Sequence, residues 1–117
     1  MAIQNYSDHI VLVELPSEPQ IRQELDNVEE IIQQRTDCDV LVDLSNVDIM
    51  TSSSISGFLQ LYKLLTNSGR KLVLCNASSV TKDIFGLTCF HGIFEFIDDK
   101  SEALVSLEAA RESEPAN

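Results

Sequence analysis

A chain of 117 residues has room for one hydrophobic core and is too short for two domains. With 44% apolar and 23% charged residues it has the balance of a soluble globular protein, and no apolar run approaches the roughly 18 residues of a membrane span, which argues against disorder and against membrane insertion. Nineteen acidic against eight basic side chains leave a formal charge of −11, which repels phosphate backbones and argues against nucleic acid as a partner.

The N-terminal stretch Met1 to Tyr6 lacks a basic segment followed by an apolar one, so the expected location is cytoplasmic. Cys38, Cys75 and Cys89 are odd in number, widely spaced and set mostly in apolar runs. They read as reduced core thiols rather than a disulfide framework or a metal site.

In chain order, Ala2 to Asn5 and the β-branched run His9 to Leu15 read as a hairpin turning through Tyr6 to Asp8, with Pro16 as the stop. Ser17, with Gln20 three residues on, reads as the cap of a first helix on which Ile21, Leu25, Val28 and Ile32 share a face. Asp39 to Leu44 is a short apolar run between polar ends, the pattern of a central strand buried on both faces. Ile55, Phe58, Leu59, Tyr62 and Leu65 mark a second helix, stopped by Asn67-Ser68-Gly69. Lys71 to Asn76 is a further buried strand. Ser78 caps a third helix reaching about Leu87, Ile93 to Ile97 is a last strand, and Asp99 with Glu102 opens a final helix ending near Arg111. Residues 1–112 form the domain and 113–117 a frayed tail. The alternation predicts an α/β fold in which a mostly parallel sheet of four to five strands carries about four helices, the N-terminal hairpin being antiparallel.

Much enzyme chemistry has no carrier here. Gly57, Gly69, Gly86 and Gly92 form no phosphate-binding loop and no dinucleotide fingerprint. His9 and His91 are the only imidazoles, and no serine has the flanking glycines of a nucleophile elbow. Asp37, Asp39, Asp43 and Asp48 match no calcium loop and read as solvated strand ends or turn formers. The chain is therefore expected to be non-enzymatic, with no cofactor and no metal.

What remains is a run of four hydroxyl residues, Thr51-Ser52-Ser53-Ser54, where the central strand's loop turns into an apolar helix. Capping the helix needs one hydroxyl; three are surplus. The whole segment, Val40-Leu41-Val42-Asp43-Leu44-Ser45-Asn46-Val47-Asp48-Ile49-Met50-Thr51-Ser52-Ser53-Ser54-Ile55, resembles the STAS domain family of anti-sigma-factor antagonists and their relatives, whose usual form is a strand, Asp-Leu-Ser-x-Val, an apolar pair and Asp-Ser-Ser-Gly opening a helix. The likeness runs on through Tyr62-Lys63, Gly69, Leu72 to Cys75, Ser78, Ile84-Phe85, Ile93 to Phe96 and Ser101 to Leu104, covering about residues 38 to 107.

The resemblance implies a single STAS-like domain that binds an anti-sigma factor or serine/threonine kinase-like protein. It further implies a phosphate acceptor at Ser52, with Thr51 and Ser53 as alternatives. Asp48, Thr51, Ser52, Ser53, Ser54 and Ile55 would form the docking surface, Asp48 either orienting an acceptor hydroxyl or forming a turn. Independently of the resemblance, a helix N-terminus tolerates the charge of about −1.5 to −2 that a phosphoryl group brings.

The departures are Thr51 where the family has Asp, Ser54 where it has Gly, and Cys89 at a spot where Gly is common. The family's Glu-Leu-Asp segment after the second strand is not recognisable in Leu15-Pro16-Ser17-Glu18-Pro19. An alternative implied function is a STAS binding module that is never phosphorylated, an accessory subunit of a transporter or of a multiprotein signalling complex.

Overall fold

The structure is a computed structural model, which describes residues 3–87 and 94–113. Five strands, β1 (Ile3–Ser7), β2 (Ile10–Glu14), β3 (Asp39–Asp43), β4 (Leu72–Cys75) and β5 (Glu95–Ile97), form one sheet in sequence order. β1 runs antiparallel to β2, and every later pairing is parallel. The helices are α1 (Ile21–Gln34), α2 (Ser52–Asn67), α3 (Ser79–Leu87) and α4 (Lys100–Glu112). The predicted architecture is the observed one.

β2, β3 and β4 are almost wholly apolar because both of their faces are covered. Val11, Val13, Val40, Val42, Leu72 and Leu74 point to one face, where they meet α1 through Ile21, Leu25, Val28 and Ile32 and α2 through Phe58, Leu61 and Leu65. The residues between them, Ile10, Leu12, Leu41, Val73 and Cys75, point to the other, where α4 supplies Ala103 and Leu107. The in-register partners Val11, Val40 and Leu72 show why the period-two pattern fixes pairing. A slip of one residue would exchange the two cores.

Phe58 packs edge-on against Phe85 (5.3 Å) and Phe94 (6.3 Å), joining α2 to α3 and to the start of β5. α1 and α2 approach closely at Gly57, where a Cβ would lie 3.1 Å from Arg22 Cδ and Leu25 Cδ1. α2 ends as its sequence predicts: Gly69 takes φ +73° and the Arg70 N–H returns to the Leu65 carbonyl.

Two local expectations shift. Ser17 does not cap α1; the Gln20 N–H closes a turn on the Ser17 carbonyl, and the helix begins at Ile21 without a side-chain cap. The hairpin turns at Asp8-His9 rather than Tyr6 to Asp8, because a register irregularity between Asn5 and Ser7 extends β1 and the Ser7 hydroxyl accepts the His9 N–H. Ser78 and Asp99 do cap α3 and α4, accepting from the N–H groups of Thr81 and Glu102. Ile93, His91, Cys89 and most of the expected tail lie outside the described residues.

Candidate functional site

The central strand ends in a carboxylate that starts the site. Asp43 is buried; its Oδ1 accepts from the Ser45 N–H (2.9 Å) and Asn76 Nδ2 (3.1 Å), and Lys100 Nζ stands 3.5 Å from Oδ2. Burial alone would raise its pKa, but the Ser45 and Asn76 hydrogen bonds and the Lys100 charge outweigh it and hold the carboxyl below its ordinary value. The expectation of solvated strand ends is thus corrected at Asp43, and also at buried Asp39.

The chain then turns, with the Val47 N–H on the Leu44 carbonyl, and the Thr81 hydroxyl of α3 donates to the Val47 carbonyl (3.3 Å). Pinned at Val47, the loop presents Asp48 and Ile49 to solvent, Ile49 at 67% exposure. Val80, beside the pinning Thr81, is another large apolar side chain left exposed, at 57%.

Thr51 is the N-cap of α2, its hydroxyl accepting the Ser54 N–H at 3.1 Å. Ser52 and Ser53 are exposed on the first turn, and their backbone N–H groups make no hydrogen bond among the described residues, as expected for the start of a helix. Ser54 is fully buried and Ile55 nearly so. The six residues expected to form one docking surface therefore divide: Asp48, Thr51, Ser52 and Ser53 face solvent, while Ser54 and Ile55 lie beneath them.

Sequence reasoning missed Glu18. Its Oε2 accepts from the Thr51 N–H (2.6 Å) and from the Ser54 hydroxyl (2.9 Å), and the Thr51 hydroxyl donates in turn to Ser54 Oγ (3.2 Å). A carboxylate from the β2–α1 loop thus sits at the positive end of α2, where a negative charge is favoured. At the two positions that depart from the expected motif, Thr51 caps the helix and the Ser54 hydroxyl binds the Glu18 carboxylate. No signal in the sequence pairs Glu18 with residues 33 and 36 positions away. From α1, Arg22 Nη1 donates to the Ser53 carbonyl (2.8 Å).

Glu18→Ala is expected to lower unfolding free energy by about 1–2 kcal/mol, less than two fully buried charge-assisted bonds would give because the group is partly solvated. Urea denaturation checks the magnitude. Hydrogen exchange should localise the loosening to the Thr51 and Ser54 amides.

The two described thiols, Cys38 and Cys75, are buried away from this site. Cys75, between the sheet and α4, is pushed up to about 12 by burial with the Asp43 charge adding to it, and burial also raises Cys38. No three His, Cys, Asp or Glu side chains among the described residues come together as a metal site. No helix among them is long and apolar enough to cross a membrane.

A family model described as the STAS domain matches residues 15–103. No curated protein matches the chain in sequence. Among solved structures, an anti-sigma-factor antagonist (STAS) domain protein from Planctomyces limnophilus is 19% identical, with 91% of this chain and 97% of that one aligned at a TM-score of 0.77. A variant of RsbS from Moorella thermoacetica is 12% identical over 94% and 96%, at 0.81. The Bacillus cell fate determinant SpoIIAA in its phosphorylated form is 15% identical over 89% and 96%, at 0.70. At such identities the structural likeness establishes the fold alone.

Proposed function

The chain belongs to the STAS domain family, and from that premise we propose that it is an anti-sigma-factor-antagonist-like regulatory domain switched by phosphorylation of Ser52. Residues 1–112 act as one cytoplasmic, non-enzymatic unit that docks an anti-sigma factor or serine/threonine kinase-like protein. The observation that carries this reading is the placement of Ser52: an exposed hydroxyl on the first residue of α2, close in the chain to the exposed apolar Ile49. A kinase can reach it, and a partner covering Ile49 cannot avoid it. Thr51 and Ser53 are secondary acceptors, Thr51 being engaged as the cap.

Addition of a phosphoryl group places about −1.5 to −2 charges at a helix start that already holds the Glu18 carboxylate. The free N–H groups of the first turn favour that charge, so the fold survives; the docking face changes sign and bulk. Binding of the partner belongs to the unmodified form.

A second reading is favoured by the same Glu18. With a carboxylate permanently seated at the α2 terminus, the site already carries its anion, as suits a binding module that works unmodified within a transporter or multiprotein complex.

Intact mass and peptide mapping of the protein from its own cells, across growth and stress, decide between the two. One phosphoryl group on Ser52, lost in Ser52→Ala, with partner binding at least about 100-fold weaker for the modified form, is the expected result. A chain that stays unmodified throughout overturns the switch in favour of the constitutive module.

A further inference from the structure

The stretch from Pro16 to Pro19, which leads from β2 into α1, is tied to the rest of the fold by one side chain. Before it, the Leu15 N–H is fixed on the Asp43 carbonyl; after it, the Gln20 N–H returns to the Ser17 carbonyl inside the stretch itself. Among the described residues, its only hydrogen bonds to another element are those that Glu18 Oε2 accepts from the Thr51 N–H (2.6 Å) and the Ser54 hydroxyl (2.9 Å). No residue between Leu15 and Ile21 is buried, and α1 has no side-chain cap to fix its entry. Glu18 is therefore a latch, and it closes on the helix start that carries Ser52.

Transfer of the γ-phosphoryl group of a nucleoside triphosphate to Ser52 Oγ, with loss of the hydroxyl proton and departure of the nucleoside diphosphate, brings about −1.5 to −2 charges to that helix start. Ser52 directly follows the residue whose N–H Glu18 holds. Two anions at one site disfavour each other, and both draw on the same few N–H groups of the first turn. Arg22, the cation that α1 brings here, is already engaged by Asp26, by Gln60 Oε1 and by the Ser53 carbonyl, so it neutralises neither anion without giving up those bonds. Of the two, the phosphoryl group is covalently fixed to the helix, whereas the carboxylate rides on a segment with no other tie. We propose that phosphorylation of Ser52 expels Glu18 from the α2 terminus and releases the 16–19 segment, so that one modification changes two parts of the surface. The inference deepens the reading of Ser52 as the phosphate acceptor and rests on it.

The test places phosphoserine genetically at position 52 of the isotope-labelled full chain and reads amide exchange at Gln20, whose hydrogen bond involves neither Ser52 nor the Glu18 side chain. Relative to the unmodified chain, Gln20 should exchange about tenfold faster or more, and the Ser17 and Glu18 amide resonances should move toward those of an unstructured segment. Glu18→Gln keeps an acceptor for Thr51 and Ser54 and removes the charge; in that background the same phosphate should change Gln20 exchange by about twofold or less. Phosphoserine at exposed Ser101, in the first turn of α4, should leave Gln20 unchanged. Unaltered Gln20 exchange with phosphate on Ser52 would overturn the release. Equal acceleration from Ser101, or full acceleration in Glu18→Gln, would show a general effect of added charge and overturn the latch. Because the phosphate is installed rather than left to a kinase, failure here leaves a Ser52 switch that acts by charge and bulk alone, and an unmodified Ser52 in cells leaves this measurement standing.

Discussion

Asp39→Ala is expected to lower the free energy of unfolding by about 3–5 kcal/mol, the range for breaking a buried ion pair from one side. Asp39 opens β3 at the end of the sheet opposite the Ser52 site. Its buried carboxylate accepts the Lys71 N–H at 2.9 Å and lies 3.7 Å from Arg70 and 3.6 Å from Arg111, two guanidinium groups that are themselves mostly covered. Removing the carboxylate leaves the Lys71 amide without its acceptor and strips both arginines of a counter-charge. Arg111 keeps Asp37, through its carboxylate and its backbone carbonyl, but Asp37 stands in solvent and screens poorly. Asp39→Asn, which preserves an acceptor for Lys71 and removes only the charge, should fall between wild type and Ala in a urea titration. Asp37→Ala should move the midpoint far less than either. An Asp39→Ala midpoint indistinguishable from wild type would show that the pairing contributes nothing to stability.

Asp43→Ala is expected to cost about 2–4 kcal/mol, and its effect should reach the candidate site. The side chain holds the first residue of the site loop through the Ser45 N–H and ties it to Asn76 beyond β4, a residue at φ +57°. Loss of those bonds frees the segment that presents Ile49 and Ser52, so hydrogen exchange should rise through the loop before it rises in the sheet.

Asp43→Asn isolates the charge. The folded carboxyl is held below its ordinary pKa, so its ionised form stabilises the native state at neutral pH, and that contribution disappears as pH falls through the folded value. The stability gap between wild type and Asp43→Asn should therefore be full above about pH 4 and narrow below it. A gap that stays constant into acid would contradict the ionic role.

How far the sequence reached can be followed residue by residue. The runs Val40-Leu41-Val42 and Leu72-Val73-Leu74 announced doubly covered strands, and the 3.6-residue spacing of Ile21, Leu25, Val28 and Ile32 announced α1, because each pattern is a local record of which neighbours are apolar. Ser78 and Asp99 announced two helix starts and the hydroxyl run Thr51 to Ser54 a third, because a cap bonds a backbone N–H only three residues away; that Thr51 is the member that caps came from the structure. Ser17 obeyed the same local rule and did not cap, since its segment closed a backbone turn instead.

The candidate site was half legible. The position of Ser52 at the start of a helix after the central strand could be read from the chain, because strand, loop and helix are contiguous there.

The sequence by itself determined the two-sided parallel sheet, the order of its elements and the helix terminus that carries Ser52, all of which depend on residues close together in the chain. Tertiary structure alone decided that Ser54 and Ile55 turn inward and that the Glu18 carboxylate binds the Thr51 amide and the Ser54 hydroxyl at the start of α2. It also decided that Asp39 and Asp43 are buried anchors rather than solvated ends. A carboxylate's value depends on which donors and how much water surround it, and here most of those donors come from other elements of the fold. No spacing in the chain encodes that distance.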